Sequence, residues 1–190
     1  RPGMDDGPLF LQKETPIDPQ DNAQTLFEKL IPLGLAGLQE TLTRIQNGEM
    51  VQTPQTGEPT TAPMLQKEDA LLLPTALTAQ ELHNRVRGLA CGPKPKIPFS
   101  YKGKSEWVQV VKTLLDPPSS ALRAPSPSRG EENRAPGTIL NIERNRGILV
   151  KCKEGSLWLC EVQPAGKKPM PAEAFANGRG LKVNDGVFTE

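Results

Sequence analysis

Few side chains in this sequence have the types and spacing that chemistry needs. An acidic turn, Asp5-Asp6-Gly7, sets two carboxylates beside a glycine. A carboxylate so placed can take a proton from an attacking amine, although an Asp next to a Gly is first of all a turn former. The single histidine, His83, falls on a helical stretch with no Asp or Ser close by in sequence, and such a histidine is normally structural. Cys91, Cys152 and Cys160 have no C-x-x-C spacing. Cys152 and Cys160 fall on neighbouring expected strands, where small buried thiols are common, so a reducing compartment and no metal site are expected.

The stronger signal is electrostatic. Residues 1–77 hold 5 Lys/Arg against 11 Asp/Glu, whereas residues 78–182 hold 18 against 9. A basic excess of that size on one part of a chain suggests a polyanionic partner; the plain alternative is a solvated basic surface with none. The candidate phosphate contacts are Lys67, Arg85, Arg87, Arg144, Arg146, Lys167 and Lys168, with Lys94, Lys96, Lys102 and Lys104 on neighbouring loops and turns. Phosphate contacts need nothing more specific than cations in such places. Lys167-Lys168, beside Gly166, brings two ammonium groups into one turn, which costs energy unless an anion lies nearby or both stay solvated. Five Phe, one Tyr and two Trp offer few stacking platforms. That favours recognition of folded RNA by backbone and shape over single-strand base readout.

Positioning elements follow from periodicity and punctuation. Thr138–Ile142, Ile148–Cys152 and Leu157–Val162 read as three strands separated by turns at Glu143 to Gly147 and Lys153 to Gly155. Pro171 opens and Gly178 closes a short helix after them. Thr78 and Glu81 form a T-x-x-E capping box for a helix to Gly88, with Leu82, Val86 and Leu89 as the buried stripe and Arg85 and Arg87 on the other side. Cys91 to Phe99 reads as a Pro/Lys-rich loop and Trp107 to Leu115 as a strand.

Upstream, Leu9 to Lys13 reads as a strand, and Asp21 or Asn22 caps a helix with Leu26, Phe27 and Leu30 at helical spacing. Pro32 and Gly34 are expected to interrupt it before a second helix, with Leu35, Leu38, Leu42 and Ile45 on one face, that stops at Asn47-Gly48. A strand followed by amphipathic helices is the tail of an α/β layer, and a lone strand cannot bury itself. Val51 to Pro63 is an extended linker by composition. Asp116 to Arg134 is Ser/Pro/Arg-rich and expected to be a disordered insertion, and no structure is expected from Lys182 onward. The sequence holds no run of 18 apolar residues. It opens on Arg1 inside a motif and is expected to be part of a longer protein.

Four segments in matching order carry a family resemblance. M-D-D-G-P-L-F-L-Q-K-E (Met4 to Glu14) with D-N-A-Q-T-L-F-E-K-L (Asp21 to Leu30) resembles the D-x-G loop and following helix of the folate-dependent formyltransferases. T-A-P-M-L-Q-K-E-D-A (Thr61 to Ala70) is similar to an interdomain linker, and E-L-H-N-R-V-R-G-L (Glu81 to Leu89) to the first helix of a C-terminal domain, in the methionyl-tRNA formyltransferases. A-P-G-T-I-L (Ala135 to Leu140), Q-P-A-G-K-K-P-M (Gln163 to Met170) and F-A-N-G (Phe175 to Gly178) complete that domain's pattern.

The resemblance implies an α+β fold: residues 1–50 as the C-terminal remnant of a Rossmann-like formyltransferase domain, 51–77 as a linker, and 78–182 as an open OB-like β-barrel domain that binds initiator methionyl-tRNA, with a tail at 183–190. It implies Asp5 as the catalytic carboxylate, with Asp6 and Gly7 in the substrate loop, and 10-formyltetrahydrofolate as co-substrate. The Asn and His with which that carboxylate works in the family have no counterpart in this sequence, so the chain alone is expected to be inactive. A monomer is expected, with no membrane or metal partner, in bacterial cytoplasm or in a mitochondrion or chloroplast. Two other readings stand beside this one: a non-catalytic tRNA- or RNA-binding module, and another folate-dependent formyltransferase or hydrolase.

Overall fold

A computed structural model of the chain describes residues 5–49, 51–101, 103–116 and 134–187. The expected insertion lies outside the described residues except for Asp116 and Arg134, and so does Lys102. The chain forms two compact units, Arg1–Met64 and Leu65–Glu190.

The first unit is built on one helix, α1 (Ala23–Gln46). Asn22 caps it: its side chain accepts from the Thr25 backbone N–H at 2.9 Å, and the Thr25 hydroxyl accepts from the Asn22 N–H at 3.0 Å. The expected break at Pro32 and Gly34 does not occur; Pro32 lies inside a continuous helix. Proline removes one helical hydrogen bond, at a cost of about 3 kcal/mol in a helix interior. Here α1 buries none of its residues, so water can satisfy the orphaned carbonyl, and Lys13–Glu40 and Arg44–Glu40 pairs hold the second half. The expected strand Leu9–Lys13 is also absent. A lone strand has no partner to complete it, and what forms is a single antiparallel bridge from Leu9 to Thr53, with both N–H···O bonds at 2.8 Å. Leu11 and Lys13 instead lie along α1 beside Gly37.

The second unit is an antiparallel sheet of β1 (Lys96–Tyr101), β2 (Lys104–Leu115), β3 (Ile139–Glu143), β4 (Gly147–Lys151), β5 (Ser156–Pro164) and β6 (Met170–Pro171). Its order is β1-β2-β5-β4-β3, and β6 also pairs with β5. Thus β5 is central: one edge takes β2, and the other takes β4 and then β6. The three strands expected after residue 137 are all present to within two residues or so. β1 was expected to be loop. Its register with β2, Ile97↔Val108 and Phe99↔Glu106, shows why the segment extends: Ile97 and Phe99 are fully buried.

Helices α2 (Ala79–Gly88) and α3 (Ala172–Arg179) cover one face of the sheet. The capping box on α2 is as expected, with the Thr78 N–H donating to Glu81 at 2.8 Å and the Glu81 N–H to Thr78 at 3.2 Å. Leu82 and Val86 from α2 and Phe175 and Ala176 from α3 meet Phe99, Val108, Val110, Ile148, Val150, Leu157, Leu159 and Val162 in the main core. Phe99 and Phe175 touch as a tilted pair with centroids 5.1 Å apart. α3 does not stop at Gly178; it runs on to Arg179 and caps at Gly180, whose φ of 71° is the left-handed conformation that favours glycine. The expected structureless tail is docked as far as it is described. Val187 is fully buried, its N–H donates to the Gly137 carbonyl at 2.6 Å, and Gly186 bridges Thr138.

Strand alternation places Trp158, Leu149 and Leu140 on the opposite face, where they form a second, smaller buried cluster. Among the described residues, no helix is long and apolar enough to cross a membrane.

Candidate functional site

The acidic turn in the first unit has a particular backbone. Asp5 sits at φ 61°, a left-handed conformation that Asp tolerates better than most residues. The amide of Gln55 reaches back to it, Nε2 donating to the Asp5 and Gly7 carbonyls at 2.7 Å each. The Leu9–Thr53 bridge brings that amide into range. Sequence reading missed Gln55: it lies some fifty residues from the turn, on a segment whose composition marks a linker. Asp5, Asp6 and Gly7 are all exposed, so the turn presents its carboxylates to solvent from a clamped backbone.

Asp21 is the nearly buried carboxylate of this unit, at 7% exposure. Lys29 Nζ donates to it at 2.6 Å, and the Asp18 N–H donates at 2.8 Å. Those two bonds, the Lys29 bond foremost, hold its carboxyl below the usual carboxylate range. It anchors the start of α1.

The basic candidates of the second unit are spread over separate elements. Lys67 is exposed where a short 3-10 turn begins. Arg85 and Arg87 are half-buried on α2, with Arg85 donating to the Asp69 carbonyl and Arg87 to Asn84, both at 3.4 Å. Arg144 is exposed in the β3–β4 turn. Arg146, two residues on, is differently placed. Its guanidinium lies over the Trp158 ring at 4.3 Å and pairs with Asp116 at 3.3 Å and Glu143 at 3.5 Å. Lys167 and Lys168 are exposed in the β5–β6 turn, where the Gln163 Nε2 donates to the Lys167 carbonyl at 2.8 Å. The structure therefore leaves Lys67, Arg144, Lys167 and Lys168 presented to solvent and engages Arg146 within the fold.

His83 is buried on α2, with Nδ1 2.8 Å from the Thr113 hydroxyl of β2. Burial, and secondarily the charge of Arg87, push its pKa below the ordinary histidine value. It joins a helix to the sheet, as a structural histidine does. Burial pushes the Cys152 thiol up to about 12 and raises that of Cys160, so neither is a ready nucleophile. Among the described residues no cluster of three or more His, Cys, Asp or Glu could hold a metal ion.

Residues 64–180 match the formyl transferase C-terminal domain. The methionyl-tRNA formyltransferase of Elusimicrobium minutum is 38% identical over 98% of this chain and 59% of its own length. Those of Thermodesulfovibrio yellowstonii and Synechococcus elongatus are 36% and 37% identical over 97% of the chain, and over 53% and 55% of their own lengths. The chain thus spans between a half and three fifths of the curated relatives it matches, all three of them bacterial. A variant of HypX from Aquifex aeolicus superposes with a TM-score of 0.62 over 95% of this chain and 30% of that one, at 14% identity. HypX in complex with tetrahydrofolic acid gives 0.52 over 79% and 24%, also at 14% identity. At that identity the likeness is one of fold.

Proposed function

Because this chain belongs to the formyl transferases, through the C-terminal domain of that family, we propose that it is the C-terminal part of a methionyl-tRNA formyltransferase. The observation that carries this is the reach of the sequence likeness. Identity of 36–38% runs over 97–98% of the chain, so the acidic turn and the basic second unit are matched together in relatives of one name.

In this reading residues 1–50 close a Rossmann-like catalytic domain, 51–77 link it onward, and 78–182 form the OB-like tRNA-binding domain. The long apolar face of α1, unpartnered in its own unit, supports the first assignment, since a helix of an α/β layer packs that face on a sheet. The open antiparallel order around β5, with register shifts in β2 between Val110 and Thr113, supports the last.

The reaction moves a formyl group from 10-formyltetrahydrofolate to the amine of methionyl-tRNA. The amine nitrogen attacks the formyl carbon and gives up a proton, and the bond from that carbon to the folate nitrogen breaks as that nitrogen takes up a proton. Asp5 is the group in this chain suited to take that proton, and the Gln55 clamp with the Asp5-Asp6-Gly7 turn fixes where its carboxylate stands. One exposed carboxylate cannot enclose a pteridine, so these residues supply an edge of the folate site and the 190-residue chain alone has no turnover. Lys67, Arg144, Lys167 and Lys168 contact tRNA phosphates, with Arg85 and Arg87 at a half-buried margin. The protein works as a monomer, in bacterial cytoplasm or an organelle of bacterial descent.

A filter-binding titration of initiator methionyl-tRNA at two salt concentrations tests the reading. Affinity that falls steeply with salt is expected; no binding at either salt overturns it. A formyl-transfer assay of the same chain is expected to show nothing, and turnover would overturn the assignment of Asp5 as one part of a larger site. The competing reading of a stand-alone RNA module predicts that extending the chain upstream adds no folate-dependent activity.

A further inference from the structure

The face of the sheet away from α2 and α3 carries an aromatic side chain that no part of the core uses. Trp107 on β2 is 45% exposed, although it is among the largest apolar side chains in the molecule. Pairing fixes its neighbours. Lys96 stands opposite Gln109, Pro98 opposite Trp107, and Gln109 in turn opposite Gln163 of β5. Residues paired or two apart share a face, so Lys96, Trp107, Gln109 and Gln163 line one surface. The Lys96 ammonium lies over the Trp107 ring, 5.7 Å from its centroid. Two residues beyond Gln163, just past the last pairing Val108↔Pro164, Ala165 begins the turn that carries Lys167 and Lys168, and Gln163 itself bonds to the Lys167 carbonyl. The exposed indole therefore lies at the same end of the sheet as this cationic turn, with a third ammonium on its ring.

An indole left in water is a cost that core packing does not repay, and its surroundings select the partner. A protein-docking patch has an apolar centre with few charges. This indole is instead flanked by ammonium groups, the arrangement in which single-stranded nucleic acids are held: a ring for the base and cations for the phosphates. We propose that the outer face of β1, β2 and β5 is a stacking platform for an unpaired nucleotide of RNA, with Trp107 taking the base and Lys96 and the Lys167-Lys168 turn taking the phosphates on either side. Gln109, between them, is placed to bond a base edge. The small number of aromatics argued against base stacking, but the position of this one argues for it. The inference rests on the tRNA reading and goes beyond it, since phosphate contacts alone would need no ring.

Intrinsic fluorescence reads the platform directly. The chain has two tryptophans, and Trp158 is buried with its Nε1 donating to Asp116 at 2.9 Å, so quenching by added RNA reports Trp107. Three probes are titrated into the 190-residue chain: a short single-stranded oligoadenylate, an RNA duplex of equal length, and an initiator tRNA transcript. Single strands and tRNA are expected to quench, and the duplex to bind by charge without quenching. Trp107→Ala is expected to lose roughly tenfold in single-strand affinity, Trp107→Phe to recover part of it, and both to bind duplex as the parent does. If tRNA binds the parent and Trp107→Ala equally and without quenching, the platform is refuted while the tRNA reading survives. If no RNA binds the parent at all, both fall. Quenching by anionic vesicles or by an unrelated acidic protein as strong as by oligoadenylate also overturns the proposal.

Discussion

Arg146 and Trp158 are stacked, the guanidinium carbon 4.3 Å from the ring centroid, and Asp116 accepts hydrogen bonds from both: from the indole Nε1 at 2.9 Å and from the guanidinium at 3.3 Å. One carboxylate thus ties the end of β2 to β5 and to the β3–β4 turn. A cation–π contact contributes about 0.5–2 kcal/mol depending on desolvation, and a half-exposed ion pair adds little. Arg146→Ala is therefore expected to lower stability by about 1–2 kcal/mol in urea unfolding. Arg144→Ala, two residues away and exposed, should leave stability unchanged and lessen the salt dependence of tRNA binding by about one charge. Equal effects of the two variants on binding, with none on stability, would show that Arg146 serves the ligand after all.

Gly147 predicts a sharper loss. Its φ is 122°, and a Cβ there would lie 1.9 Å from the Leu159 carbonyl oxygen, a backbone atom of the central strand. Neither the turn nor β5 can yield without breaking the ladder, so Gly147→Ala should destabilise the second unit by more than about 2 kcal/mol. A urea midpoint within error of the parent would contradict this.

Acid should weaken the second unit through His83. Its folded pKa is depressed, so the unfolded chain binds the proton more readily. The stability that the neutral, buried imidazole contributes is complete above the unfolded value near 6.5 and is lost as pH falls through the lower folded value. Urea midpoints taken from pH 7.5 to about pH 5 should drop in the parent and much less in His83→Gln. An identical slope in both would assign the acid sensitivity to other groups.

The Gln55 clamp carries a prediction under the proposed formyl-transfer reading. In a chain extended upstream to complete the catalytic domain, Asp5→Asn is expected to lower formyl transfer by at least about a hundredfold. Gln55→Ala should cost less, because it frees the turn without removing the carboxylate. Retention of full activity by Asp5→Asn would move the proton acceptor elsewhere.

What could be read from residue types was local. The box at Thr78 and Glu81, the turns at Asn145 and Gly155, and the short apolar run Leu157-Trp158-Leu159 each state their conformation within a few residues, and each forms as written. What could not be read depends on partners distant in sequence. β1 is a strand because Ile97 and Phe99 find Val108 and Phe175, whereas Lys96, Pro98 and the Pro/Lys-rich residues before them alone describe a loop. Val187 is ordered because Gly137, fifty residues earlier, accepts its N–H. Pro32 misled because its local cost is certain while the tolerance of an exposed helix is not written beside it. The same limit applies to the site. The Asp5-Asp6-Gly7 turn is a visible motif, but Gln55 was hidden by distance, and Arg146 looked like any surface cation until Trp158 was placed under it.

The bare helix of the first unit has a practical consequence. Phe27, Leu30, Ile31, Leu35, Leu38, Leu42 and Ile45 remain 41–63% exposed along α1. A stripe of that length promotes self-association in water. Preparations of the 190-residue chain should bind hydrophobic dyes and scatter light increasingly with concentration. Substituting Leu35 and Leu42 with Gln should relieve this without altering how the second unit melts.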